Sequence, residues 1–124
     1  MFLLVLRAYA ALLHFEHFVV QENFAGIHES VRRYPCRKQR PLHYGTEQLC
    51  AAVDLACVWY WKQVLCLQRS AAAVRLLRDC GVPAQLVIGA QHMPFKAHAW
   101  VEVEGRVVND RSYTNDMYAV LDRC

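Results

Sequence analysis

No Cys-x-x-C pair, no His/Cys ligand spacing and no phosphate-cradling glycine loop occurs in the 124 residues. The first two absences argue against a zinc site and the third against a nucleotide site, so no metal and no cofactor is expected. His14 and His17 lie one helical turn apart but lack a third ligand. The start, Met1-Phe2-Leu3-Leu4-Val5-Leu6, has neither the basic flank nor the small-residue cleavage site of a secretory signal. Arg7, His14, Glu16 and His17 interrupt the apolar run, which predicts that it falls short of a membrane span. Repeats and low-complexity segments are also missing. Charge is sparse, and the net +3 comes from one stretch holding Arg32, Arg33, Arg37, Lys38 and Arg40. A nucleic-acid surface wants a broader basic face with interleaved aromatics. The stretch therefore reads as a solvated loop, with a dock for an acidic peptide segment as the other reading.

The length suits one domain with one core. The six cysteines, Cys36, Cys50, Cys57, Cys66, Cys80 and Cys124, are scattered, and nothing marks the chain as secreted. The expectation is a cytoplasmic protein with reduced thiols, most of them acting as small buried hydrophobes.

Residues 2 to about 33 read as helical, with a break near Gly26. Leu3, Leu6, Ala10, Leu13 and His17 form one stripe, which Leu4, Ala8, Ala11, Phe15 and Phe18 widen. So broad a stripe is either sandwiched in the core or covered in part by another protein, and core burial is the simpler expectation. Pro35 and Pro41 mark an irregular link. Thr46 reads as the N-cap of a helix running to about Trp61, with Leu49, Val53, Ala56 and Tyr60 at helical spacing. A further helix spans Cys66 to Cys80, rich in Ala and Leu, closed by Gly81 and kept from resuming by Pro83. Strands follow at 84–89, 97–103 and 106–109, with a loop over 91–95 and a turn at Glu104-Gly105. Helices first and strands afterwards predict an α+β fold rather than α/β.

Cys66 opens its helix, and His98 and Asp110 fall on two strands of a hairpin. A thiol in a first helical turn faces unpaired N–H groups and the positive end of the helix dipole, which favour the nucleophilic thiolate. Cysteine on a helix start, then histidine and aspartate on neighbouring strands, is what a papain- or transglutaminase-like nucleophile site needs. His92 competes with His98 as base, and Asn109 competes with Asp110, since either side chain can hold an imidazole tautomer. The backbone N–H of Cys66 is the natural first oxyanion donor; Gln63 or a backbone amide is a candidate second. Arg69 and Ser70 either contact peptide backbone or serve capping and packing.

Three stretches together carry a resemblance: Cys66-Leu67-Gln68-Arg69-Ser70, Leu76-Leu77-Arg78-Asp79-Cys80-Gly81-Val82-Pro83-Ala84, and His98-Ala99-Trp100-Val101-Glu102-Val103-Glu104-Gly105 with Asn109-Asp110. They resemble the lasso-peptide leader peptidases, transglutaminase-like cysteine proteases of bacterial ribosomal-peptide pathways. Ala72 departs mildly from relatives that often carry a larger apolar residue there, which bears on packing only. The resemblance implies a transglutaminase/papain-like fold, with N-terminal helices and a nucleophile-bearing helix packed on a small antiparallel sheet. It implies one domain over residues 1–124, with 1–45 the apolar helical part and basic linker and 46–124 the catalytic core. Cys66 becomes the nucleophile, His98 the base and Asp110 its orienting partner in leader removal from a precursor peptide. The implied form is the stand-alone one, which lacks the peptide-recognition domain. Its implied partners are the precursor peptide, a separate leader-recognition protein and the ATP-dependent lasso cyclase that uses the freed amine. An acyltransferase on the same residues, or a non-catalytic peptide-binding module of the same fold, are the alternatives.

The triad also implies a strand register. A two-residue Glu104-Gly105 loop pairs Val103 with Arg106 and would put Asp110 on the face opposite His98. A three-residue loop of Val103, Glu104 and Gly105 pairs Glu102 with Arg106 and lets the two side chains meet, so the three-residue loop is expected.

Overall fold

The computed structural model describes residues 2–37, 44–92, 94–110 and 114–124. Lys38 and Arg40 of the basic stretch lie outside them. Four helices come first: α1 (Phe2–Val20), α2 (Phe24–Arg33), α3 (Thr46–Trp59) and α4 (Cys66–Asp79). Strands β1 (Ala84–His92), β2 (Phe95–Val103), β3 (Arg106–Val107) and β4 (Ala119–Arg123) follow, with a single-turn α5 (Thr114–Met117) before β4. The strands form one antiparallel sheet in the order β3-β2-β1-β4. This is an α+β architecture with helices packed on a small antiparallel sheet.

The helix α4 lies at the centre, buried from Gln68 through Arg78 except at Arg69 and Arg75. Its Ala71-Ala72-Ala73 run lets α1 and α3 approach on one side and β1 and β2 on the other. The C-terminus closes as a Schellman motif. Gly81, at φ +82°, donates to Arg78 O at 3.1 Å, and Val82 donates to Leu77 O at 2.9 Å. Leu49, Val53, Ala56 and Tyr60 from the α3 segment are all buried against this helix, as their spacing predicts. Gly45, not Thr46, is the N-cap of α3, and the helix ends at Trp59.

Along α1 the expectation of core burial for the first stripe fails. Leu3, Leu6 and Leu13 are 58%, 50% and 48% exposed, and the buried face is Leu4, Ala8, Ala11, Leu12 and Phe15. A helix apolar nearly all round leaves the choice of face to its neighbours, here α3 and α4. As one continuous helix, α1 is also long and apolar enough to cross a membrane by length and composition, despite its polar interruptions. The break after it falls at residues 21–23, not at Gly26. Asn23 caps α2 by accepting from Gly26 N–H at 3.0 Å. Gly26 is small for contact reasons, since a Cβ there would lie 2.5 Å from Asn23 Nδ2 and 2.7 Å from Phe18 Cδ1.

A buried polar cluster joins α1 to the connection that leads into Cys66. Glu16 accepts from Tyr60 Oη at 2.7 Å, Lys62 Nζ at 2.8 Å and Gln68 Nε2 at 3.3 Å; Gln68 also donates to Leu12 O at 2.9 Å. Burial alone would raise the Glu16 carboxyl, but the hydrogen bonds from Lys62, Tyr60 and Gln68 outweigh it and hold the group below its ordinary value. Burial, with donation to that carboxylate, pushes the Tyr60 hydroxyl up to about 12. A depressed carboxyl stabilises the fold above its unfolded pKa, and that contribution is lost as pH falls through the folded value. Urea denaturation followed from about pH 6 to about pH 3 should therefore show an acid-dependent loss that is smaller in Glu16→Gln, which starts out less stable.

In the sheet, β1 and β2 run further toward their hairpin than expected. Gln91 and His92 pair with Lys96 and Phe95, so only residues 93 and 94 remain between the strands. The fourth strand, β4, pairs with β1 and is an element that the pattern reading does not supply.

Candidate active site

Cys66 takes the first position of α4 and is half-buried. Its N-cap is Leu65, whose side chain caps nothing, so no capping oxygen competes for the first-turn N–H groups. The helix dipole and these donors converge on the thiol and on any oxyanion formed beside it. Gln63 is exposed on the connection three residues earlier.

His98 stands on β2 opposite Gly89 of β1. Strand alternation turns Ala99 and Val101 toward the helices, where both are buried, and places His98 on the other face with Trp100. His98 Nε2 and Asp110 Oδ2 are 2.5 Å apart, with side chains 25% and 23% exposed. With Nε2 engaged, Nδ1 is the ring nitrogen left for another partner. A cleft of about 110 Å³ is bordered by Cys66, Leu67, Ile88, Ala97, His98 and Ala99. Thiol and imidazole share it, although among the described residues no hydrogen bond joins them. Such pairs are often loose in unliganded enzymes and tighten around substrate.

The expected register is wrong, yet the pair it was meant to explain is present. Val103 pairs with Arg106 and Glu102 with Val107, which is the two-residue loop. Both loop residues have positive φ, +52° at Glu104 and +78° at Gly105, as the tightest hairpin turn requires. Asp110 escapes the strand alternation because the ladder stops short of it. Val108 N–H still donates to Val101 O at 3.0 Å, but Val101 N–H turns to the Asn109 side chain, Oδ1, at 2.8 Å. The backbone leaves the sheet at that point and carries Asp110 to His98.

Asn109 is thus a brace and not the imidazole's partner. Besides accepting from Val101, its Nδ2 donates to Ser70 Oγ at 3.1 Å, and Ser70 Oγ donates to Ala99 O at 3.1 Å. Arg69 Nη2 donates to Asn109 O at 2.6 Å while Arg69 Nε pairs with Asp54 at 3.0 Å. Arg69 and Ser70, directly after the Cys66 turn, therefore hold the segment that carries Asp110. Sequence reasoning ranked Asn109 only as a rival to Asp110, because a brace made of one side-chain amide and one hydroxyl leaves no periodic signal. Asn109→Ala strands a buried N–H and should cost about 1–3 kcal/mol in urea denaturation. Asn109→Asp keeps the acceptor but loses the donor to Ser70, and should fall between that variant and wild type.

His92 closes β1 near the hairpin tip, and its side chain lies outside the described residues. Among the described residues no three metal-ligating side chains come together. Burial pushes the Cys50 thiol up to about 11 and raises those of Cys57 and Cys124, and Cys80 is buried. Cys36 is exposed.

Comparison with known proteins bears on this arrangement. Residues 8–123 match the family model of the transglutaminase-like superfamily. Over 56 residues the chain is 43% identical to the microcin J25-processing protein McjB of Escherichia coli, a stretch covering 45% of this chain and 27% of McjB. The match thus spans only about a quarter of that relative's length. No solved structure matches the chain.

Proposed function

Since the chain belongs to the transglutaminase-like superfamily, we propose that it is a cysteine endopeptidase removing the leader from a ribosomally made lasso precursor peptide. The observation that carries this reading is that His98, paired with Asp110, borders one cleft with a cysteine at a helix start that no side chain caps. The partial similarity to a protein named for processing microcin J25 supports the substrate class. Partners proposed with it are the precursor, a separate leader-recognition protein and the ATP-dependent lasso cyclase.

In this mechanism Asp110 holds the proton of His98 on Nε2 and leaves Nδ1 as the basic lone pair. Nδ1 takes the Cys66 proton, and the thiolate attacks the last leader carbonyl. The negative charge that develops on the carbonyl oxygen meets the Cys66 N–H at the helix start. Collapse breaks the C–N bond as the imidazolium protonates the departing amine, the new N-terminus of the core peptide. Water, activated by the same imidazole, then cleaves the thioester and frees the leader.

The test is to incubate the protein with a candidate lasso precursor and its recognition protein and to weigh the products by mass spectrometry. Leader and core fragments that together gain one water are the expected result. A leader mass joined to an added amine would replace hydrolysis by acyl transfer. An unchanged precursor that co-purifies with the protein would make it a binding module.

A further inference from the structure

Three rings meet on the sheet face turned away from the helices. His98 and Trp100 are two residues apart on β2, and Tyr118 arrives from the turn before β4. The His98 and Tyr118 centroids are 5.3 Å apart with planes at 29°, and His98 and Trp100 are 6.0 Å apart at 28°. Trp100 and Tyr118 close the triangle at 5.9 Å.

Rings from β2 and β4 can meet across β1 because Gly89 lies beneath them. A Cβ at Gly89 would sit 2.6 Å from Trp100 Cη2 and 3.0 Å from Tyr118 Cβ. Its φ lies outside the left-handed region, so the glycine is required for space and not for backbone freedom. The Trp100 ring is itself pinned, with Nε1 donating to Glu102 Oε2 at 3.0 Å. Glu102 is 2% exposed and accepts from Arg123 Nε at 3.2 Å through its other oxygen. An Arg123–Glu102–Trp100 chain thus fixes one wall of the His98 ring, and Tyr118 supplies another.

We propose that Trp100 and Tyr118 are positioning residues that set the plane of the His98 imidazole. The hydrogen bond to Asp110 fixes a single atom of that ring, and rotation about its terminal torsion is soft. Flat contact with two neighbours restrains the plane, so that Nε2 stays on Asp110 while Nδ1 keeps the side of the Cys66 cleft. The catalytic consequence rests on the peptidase reading; the restraint on His98 does not.

Tyr118→Leu removes the ring, and Tyr118→Phe keeps it without the hydroxyl. The leucine variant should lower kcat about 10- to 100-fold with KM changed less than about twofold. The phenylalanine variant should stay within about twofold of wild type on every count. Nitrogen-15 spectra of the labelled histidine ring give a readout independent of activity. Neutral His98 should be protonated at Nε2 in wild type and Tyr118→Phe, and should become a tautomer mixture in Tyr118→Leu. Gly89→Ala, which pushes the rings apart, should give the same mixing. A single Nε2–H tautomer and wild-type kcat in Tyr118→Leu would overturn the proposal, as would a Tyr118→Phe variant as impaired as Tyr118→Leu. If wild-type protein does not cleave at all, the peptidase reading falls, and the tautomer measurement alone decides the positioning.

Discussion

Cys66→Ala should abolish precursor cleavage, lowering the rate by about 10³-fold or more, while the protein still folds. The loss is large because, among the described residues, no second thiol or hydroxyl borders the cleft, which is lined besides Cys66 by Leu67, Ile88, Ala97, Ala99 and His98. The fold is spared because alanine suits a first helical turn and the position is only half-buried. Stability should therefore shift by less than about 1 kcal/mol. Cys50→Ala, Cys57→Ala and Cys80→Ala should show the reverse pattern, with activity kept and stability lowered by about 1–3 kcal/mol where the thiol is packed. Alkylation adds a second readout, provided that the exposed Cys36 is first replaced. In that background iodoacetamide should modify Cys66 ahead of the buried thiols and remove activity in step with labelling.

Arg78→Ala should be the most damaging substitution for stability. The Arg78 guanidinium is buried and donates to four main-chain oxygens. Nε reaches Ala84 O at 2.9 Å, Nη1 reaches Val31 O at 2.5 Å and Tyr34 O at 2.9 Å, and Nη2 reaches Cys124 O at 2.5 Å. One side chain thereby ties the end of α2, the end of α4, the start of β1 and the segment after β4. Removing it takes one donor from each; Val31 O and Cys124 O keep Tyr34 N–H at 3.1 Å and Leu86 N–H at 3.3 Å, and the cost is about 1–3 kcal/mol for each oxygen left without a donor that water does not reach. A total near 3–5 kcal/mol is a large share of the stability of about 5–15 kcal/mol that a domain of this size has. Arg78→Lys keeps the charge but not the planar fork, so it should recover only part of the loss. Urea denaturation measures both; an alanine variant within about 1 kcal/mol of wild type would contradict this role.

Arg78 also illustrates what can be read from the chain alone. Local signals were legible: the Gly81-Val82-Pro83 ending of α4, the buried spacing of α3 and the branched apolar strand β1 each follow from chemistry within a few residues. The meeting of His98 with Asp110 was anticipated, but by the wrong register. A Glu-Gly turn with two positive φ values gives no strong sequence cue, and the departure of the chain at Asn109 depends on Val101 across the hairpin and on Ser70, 39 residues away in sequence. The same limit applies to α1, whose apolar circumference cannot tell which face its neighbours will cover. It applies again to β4, a short strand with alternate residues exposed that exists because β1 offers it an edge. Tyr118 belongs with these, since nothing local to residue 118 indicates that a gap at Gly89 brings it to His98.

In the proposed reaction the leader carbonyl becomes bonded to the Cys66 sulfur. Rapid acid quench of the protein mixed with a lasso precursor and its recognition protein, followed by peptide mapping in a mass spectrometer, tests this directly. A leader-derived acyl adduct is expected on the peptide containing Cys66, formed before free leader accumulates and absent from Cys66→Ala. Cleavage that persists in Cys66→Ala, or an adduct that maps to a different cysteine, would contradict it.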